Sequence, residues 1–118
     1  MYVCCVAKNE LKLLNGTLQT IVLKLLSSKE QMYGYEITQT VKAITEDAIQ
    51  ITEGALYPAL HKLEADGLLE TTVTVVDGRA RKYYRLTDKG KLEAPEKVSD
   101  VLSFVDRLHQ ILTLKPSF

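Results

Sequence analysis

Tryptophan is absent from this 118-residue chain, and cysteine occurs only as the adjacent pair Cys4 and Cys5. Sequence neighbours make poor disulfide partners, and two cysteines do not build a secreted framework. His61 and His109 lie too far apart to complete a recognisable zinc-ligand spacing, so no metal is expected. The cysteines read as part of an apolar N-terminal segment, MYVCCVA, that packs on the body or on a partner chain; redox or metal sensing by exposed thiols is the alternative use. No basic-then-apolar signal peptide opens the chain and no apolar run is long enough to cross a bilayer, which points to the cytoplasm. Neither histidine has a nucleophile or carboxylate partner at sequence level, and no phosphate-binding glycine loop appears. An enzyme is therefore not expected, nor is a cofactor. There is no excess charge of either sign, with 15 Lys and Arg against 15 Asp and Glu, so the chain as a whole advertises no polyanion. There is no internal repeat or low-complexity segment, and the length suits one domain with a modest core.

The distribution of charge says more than its total. Between Arg79 and Lys91 stand six cations (Arg79, Arg81, Lys82, Arg85, Lys89 and Lys91) against one anion, Asp88. This run begins at a hairpin. Thr72, Val73, Thr74 and Val75 alternate before Asp77-Gly78, a preferred two-residue connection for twisted strands. After the turn, Arg79, Arg81, Tyr83 and Arg85 share one face, while Ala80, Lys82, Tyr84 and Leu86 share the other. Tyr84 and Leu86 are candidate core residues; Lys82 has the inward parity, but its long stem can carry the charge outward.

Three helices are expected before the hairpin. The first runs from an Asn9 N-cap to about Leu26, with Leu11, Leu14, Leu18, Ile21, Val22 and Leu25 at helical spacing and Gly16 weakening it. Ser27 to Gln31 reads as a loop, and Tyr33 to Ile44 as a second helix with Ile37, Val41 and Ile44 on one face. Ile49-Gln50-Ile51 suggests a short strand. The third helix starts at a Thr52 N-cap, buries Leu56, Leu60 and Leu63, and stops at Asp66-Gly67. Its other face carries Glu53, Gly54, Tyr57, Pro58, His61 and Lys62, an unusual set for a face that merely meets solvent. Either Pro58 lies early enough for a local bend to absorb it, or Thr52, Gly54 and the Tyr57 hydroxyl sit where a phosphate backbone approaches; the adjoining basic hairpin favours the second. A helix followed at once by a basic hairpin suits DNA, with the helix in a groove and the arginines near phosphates or the minor groove.

The ordered runs YGYEI (33–37), GALYPALHKLEADGLL (54–69) and GRARKYYRLTDKG (78–90) resemble the PadR family of bacterial transcriptional regulators. The resemblance covers roughly 13–90. It implies an α+β, mostly α fold: a winged helix-turn-helix with a C-terminal dimerisation helix, acting as a dimeric repressor often released from its operator by a small molecule. Carried over by position, Tyr57 and Lys62 match recognition-helix residues that meet DNA, Arg79, Arg81 and Lys82 match the basic wing, and Tyr33 matches the start of a helix lying against the backbone. His61 joins this set only through its expected exposure.

Lys89 to Leu114 reads as a final helix capped by Thr87 and disturbed by Gly90 and Pro95. Val98, Val101, Val105, Leu108 and Leu112 follow alternating three- and four-residue steps, and Leu102, Phe104 and Ile111 widen the stripe. Such a stripe suits a second copy, and with Leu11 these residues form the expected dimer interface. The expected organisation is an N-terminal segment (1–8), a winged-helix domain (9–88) and a dimerisation helix (89–114). A small-molecule effector at the dimer interface, lined by residues such as Leu11, Val101, Phe104 and Val105, is one reading; simple filling of the dimer core is the other. Scarce aromatic walls leave a multidrug-sensing role without a supporting residue. The expected function is sequence-specific binding to a double-stranded DNA operator. The alternative is a winged-helix module for protein contacts or small-molecule binding, kept open by Glu46, Asp47 and Glu53 near the recognition helix.

Overall fold

The computed structural model describes residues 17–115; the expectations for Cys4, Cys5, Asn9, Leu11 and Gly16 lie outside the described residues. Helix α1 (Leu18–Ser28) buries Leu18, Val22, Leu23 and Leu26. It runs two residues past the expected end, and the Ser27 and Ser28 hydroxyls donate to the carbonyls of Leu23 (2.8 Å) and Lys24 (3.3 Å) one turn back. Strand β1 (Met32–Tyr33) leads directly into helix α2 (Gly34–Ile44), which buries Ile37, Thr38 and Val41. Ile44 departs from the expected apolar face: it is 68% exposed, because the buried stripe runs out one turn before the helix ends.

The expected strand at Ile49–Ile51 does not form. Glu46 (φ 51°) and Asp47 (φ 69°) turn the chain through the left-handed region. The Thr45 hydroxyl then donates to the Val41 carbonyl (2.9 Å) and accepts from the Ile49 N–H (3.0 Å), so this backbone is satisfied locally rather than in a sheet. Ile51 is a buried core residue instead, and the sheet edge belongs to β1.

Helix α3 (Glu53–Ala65) starts as expected, with the Thr52 hydroxyl accepting from the Ala55 N–H at 3.2 Å. It buries Leu56, Ala59, Leu60 and Leu63. Gly67 (φ +79°) ends it in a Schellman arrangement, with the Leu68 N–H on the Leu63 carbonyl (2.9 Å) and the Gly67 N–H on Glu64 (3.0 Å). Strands β2 (Leu69–Val76) and β3 (Arg79–Leu86) form the hairpin; Asp77 (φ 52°) and Gly78 (φ 76°) both take the positive values a type I′ turn requires. The antiparallel sheet has the order β1-β3-β2, with Met32 opposite Tyr84, Tyr33 opposite Tyr83, and Leu69 opposite Leu86. Tyr84 and Leu86 are buried, as the strand parity requires.

The last helix, α4 (Asp88–Leu112), runs unbroken through both Gly90 and Pro95. Gly90 is no disturbance but a point of close packing. A Cβ there would lie 2.2 Å from the Leu68 carbonyl oxygen. Thr87 caps the helix by accepting from the Gly90 N–H (3.1 Å), while its own hydroxyl donates to the Gly67 carbonyl (2.6 Å). Its N–H also donates to Leu68 O (3.0 Å), and Lys89 donates to the Asp66 carbonyl (3.0 Å). The first half of α4 packs on α1 with Ala94 fully buried, whereas Leu102, Phe104, Val105, Leu108, Ile111 and Leu112 are exposed. Val98 and Val101 are half-buried.

The Leu68 contact generates a first prediction. Gly90→Ala destabilises the protein by about 1–3 kcal/mol, because a methyl group must displace backbone rather than a flexible side chain. Urea unfolding reads this directly; a midpoint equal to that of the wild type contradicts the close packing.

Candidate nucleic-acid interface

One cleft gathers the start of α2, the middle of α3 and the returning strand of the hairpin. Its volume is about 180 Å³, and its walls are Tyr33, Gly34, Tyr35, Tyr57, Ala80, Arg81, Lys82 and Tyr84. Tyr57 reaches it from α3 because α2 begins with glycine: a Cβ on Gly34 would stand 2.6 Å from the Tyr57 hydroxyl oxygen. The sequence YGYEI therefore makes room for the ring of another helix. Burial pushes the Tyr57 phenol up from its ordinary value of 10.0, and the Glu53 carboxylate one turn earlier adds to the push, while Lys82 opposes it. The phenol is thus held protonated and offers an O–H donor.

The rim of the cleft is aromatic and cationic. The Arg81 guanidinium lies 4.6 Å above the centroid of Tyr33, whose ring meets Tyr83 edge-on at 5.4 Å and 74°. Lys82 lies on the inward parity, and its ammonium rests 5.5 Å from the centroid of Tyr84. At the start of α2 the Glu36 carboxylate accepts from the Tyr33 N–H (3.4 Å) and pairs with Lys29, which offsets its negative charge.

The other residues expected to meet DNA fall around this cleft in different ways. Thr52, Gly54 and His61 lie exposed along α3, the His61 ring 6.5 Å from that of Tyr57. A Cβ on Gly54 would meet nothing within 4 Å, so no internal packing demands glycine there. Lys62 sits nearer the end of α3 and leans on Asp66 at 3.4 Å. Arg79 is exposed beside the turn.

The basic run is smaller in effect than its sequence. Arg85 pairs with Glu70 across the hairpin at 2.6 Å, and Lys89 is held by the Asp66 carbonyl. Arg79, Arg81 and Lys82 are left toward the tip. Sequence reasoning missed Gly34, Tyr35, Ala80, Tyr83 and Tyr84 as members of the site. The interleaving of tyrosines with basic residues in RARKYYR was a signal for the last two. Among the described residues there is no cluster of potential metal ligands, and no helix is long and apolar enough to cross a membrane.

A basic hairpin beside an exposed helix face is the geometry of a winged helix, and comparison with known proteins agrees. The model of the transcriptional regulator PadR-like family matches residues 22–96. The chain belongs to the PadR-like family. A transcriptional regulator of Mycobacterium tuberculosis is 40% identical over 70 residues, covering 59% of this chain and 63% of that protein. An uncharacterized protein of Lysinibacillus sphaericus is 38% identical over 89 residues, or 75% and 81% of the two chains. The crystal structure of a PadR family regulator from Eggerthella lenta superposes with a TM-score of 0.72 at 32% identity, covering 97% of each chain. As a PadR-like protein, the chain is a DNA-binding transcriptional regulator and not an enzyme. The matched span contains the whole cleft and wing. It ends at residue 96, inside α4, so the exposed apolar stripe lies beyond it.

The Tyr57 phenol has a pH signature. Its folded-state value is raised, so the folded protein holds this proton where the unfolded chain has released it; stability from this group is complete below about pH 10 and declines as pH rises further. Tyr57→Phe is expected to flatten that part of the alkaline decline, seen by comparing urea midpoints of the two proteins at pH 8 and at about pH 10.5. Parallel declines contradict the assignment.

Proposed function

We propose that this PadR-like regulator is a sequence-specific repressor that binds a palindrome-like operator as a homodimer in the cytoplasm and is released by a small molecule or another signal. One observation carries the reading: Tyr33, Tyr57, Arg81 and Lys82 converge on a single cleft beside the exposed face of α3. Helix α3 enters the major groove with Thr52, Gly54, Tyr57 and His61 toward the DNA and Lys62 at its flank. Arg79, Arg81 and Lys82 of the wing meet phosphates, contacts that position more than they specify. The exposed α4 residues Leu102, Phe104, Val105, Leu108, Ile111 and Leu112, flanked by Val98 and Val101, supply the dimer interface. A two-fold pair then sets two α3 helices roughly 34 Å apart, one turn of DNA. An effector is expected at the dimer interface, where the groove between α1 and α4, about 390 Å³ and lined in part by Val98 and Leu102, opens on that surface.

A second reading, protein contact without sequence-specific DNA binding, draws on Val73 and Val75, which are 64% and 71% exposed on the hairpin. Selection of bound duplexes from a random pool at two salt concentrations separates the two. Enrichment of one motif is expected; recovery of no motif at either salt sinks the repressor reading. On the enriched duplex, Arg79→Ala with Arg81→Ala is expected to lower the dependence of log K on log salt by about 0.9 per phosphate contact removed. An unchanged slope sinks the wing assignment. Val105→Asp places a charge in the stripe, and analytical ultracentrifugation is expected to show monomers where the wild type sediments as a dimer. A dimeric variant contradicts the α4 interface.

A further inference from the structure

The Arg81 side chain leaves the hairpin on the face that also carries Tyr83, and β1 places Tyr33 directly opposite Tyr83 in the register. Two rings therefore stand edge-on, at 74°, beside one guanidinium, with Arg81 4.6 Å over the Tyr33 centroid and Tyr33 5.4 Å from Tyr83. Arg79, nearer the turn on the same face, is exposed. A planar guanidinium held over a ring loses rotational freedom while the N–H groups that Tyr83 does not engage stay available, which an ammonium on a flexible stem does not achieve. We infer that Tyr33 is a positioning residue: its ring, braced by Tyr83, holds the Arg81 fork at the mouth of the cleft so that the wing meets a DNA phosphodiester with its donors already oriented.

Several features make this reading more specific than a direct contact from the Tyr33 hydroxyl. The start of α2 holds the ring in place through backbone, since the Tyr33 N–H is tied to Glu36 and its neighbour Gly34 is pressed by Tyr57. A hydrogen bond with the Tyr83 side chain, and then the electrostatic interaction with Tyr33, also raise the guanidinium above its ordinary value, so both tyrosines act on the charged group. Orientation of a bidentate donor before binding lessens the conformational freedom lost on complex formation. The two-residue strand β1 thereby gains a use besides closing the sheet edge: it carries the ring to the wing.

This inference rests on the reading of the wing as a phosphate contact, and the test keeps the two apart. The probe is the duplex enriched from the random pool, or a mixed-sequence duplex at low salt if no motif is enriched. Binding is measured for wild type, Arg81→Ala, Tyr33→Phe, Tyr33→Ile and the Tyr33→Ile/Arg81→Ala pair. Tyr33→Phe keeps the ring and is expected to weaken binding less than Tyr33→Ile does. Tyr33→Ile keeps a strand-forming residue but loses the ring, and is expected to bind about two- to five-fold more weakly per wing. In the Arg81→Ala background the same change is expected to have no further effect. If Tyr33→Phe weakens binding as much as Tyr33→Ile, the hydroxyl acts directly and the platform is wrong. If Tyr33→Ile weakens binding equally with and without Arg81, its effect is merely structural and the inference also fails. If Arg81→Ala binds like wild type, the wing reading fails and takes this inference with it. Arg81→Lys supplies the test in the native background should Tyr33→Ile not fold: binding about two- to five-fold weaker per wing with an unchanged salt slope is expected, and equal binding overturns the proposal.

Discussion

The carbonyl of Leu68 is the point on which the arrangement of the molecule turns. It follows the Schellman end of α3, accepts from the Thr87 N–H, and leaves room for no more than a hydrogen on Gly90. Thr87 and Lys89 add bonds to the Gly67 and Asp66 carbonyls. The chain between these contacts is the entire hairpin, so a single joint closes α3, β2, β3 and α4 into one unit. A helix of 25 residues, about 37 Å long, magnifies any change in its starting direction. Placing backbone against backbone there, with no flexible side chain between, makes that direction stiff. In the proposed dimer, where a second copy would meet the far half of α4, stiffness at this joint would fix the separation of two α3 helices.

Charge is managed by assignment rather than by quantity. The chain is neutral, and half of the apparent basic run is engaged in structure or set apart from the wing: Arg85 faces Glu70, Lys89 holds the α3 carbonyls, and Lys91 lies on α4. What reaches the tip is a small group of cations, two of them resting on tyrosine rings. A protein that relies on few phosphate contacts binds DNA nonspecifically only weakly, which under the proposed reading would leave more of the affinity to α3 and to the doubling of sites in a dimer. The Tyr57 phenol fits the same logic. It remains an uncharged donor beside Glu53, and adds no negative charge to the cleft proposed to face DNA.

Features set by local chemistry were legible in the sequence. The Thr52 cap, the Asp66-Gly67 stop and the Asp77-Gly78 turn each follow from residues within a few positions of one another, and strand parity alone identified Tyr84 and Leu86 as buried. Membership of the family was legible from three ordered motifs. The misreadings share a different cause. Met32-Tyr33 is too short to show alternation and becomes a strand only because β3 arrives beside it, while Ile49–Ile51 looks like a strand and is diverted by the Thr45 hydroxyl. Gly90 looked like a weak point because its neighbour Leu68 is 22 positions away in the chain. Arg85 counted toward the basic run, but the hairpin register places Glu70 opposite it. Gly34 was invisible as a site residue for a similar reason: what it accommodates is a side chain from another helix.

That last case ties the site to the core. Tyr57 sits one residue after the fully buried Leu56, and its ring rests on the first residue of α2. Tyr33, one residue before Gly34, carries the ring beneath Arg81, and β1 is paired with the strand from which Arg81 projects. The elements expected to read a groove and to grip the backbone are thus coupled through two adjacent positions, 33 and 34, rather than held on independent arms. A shift of α2 moves the Tyr57 seat and the Arg81 platform together. Since α1 precedes β1 by only a short connection and packs on α4, a change at the α1–α4 contact has a short mechanical route to both. In the proposed dimer, a signal received near the interface would therefore not need to travel through the long body of the hairpin; it would have only to alter how α1 presents β1.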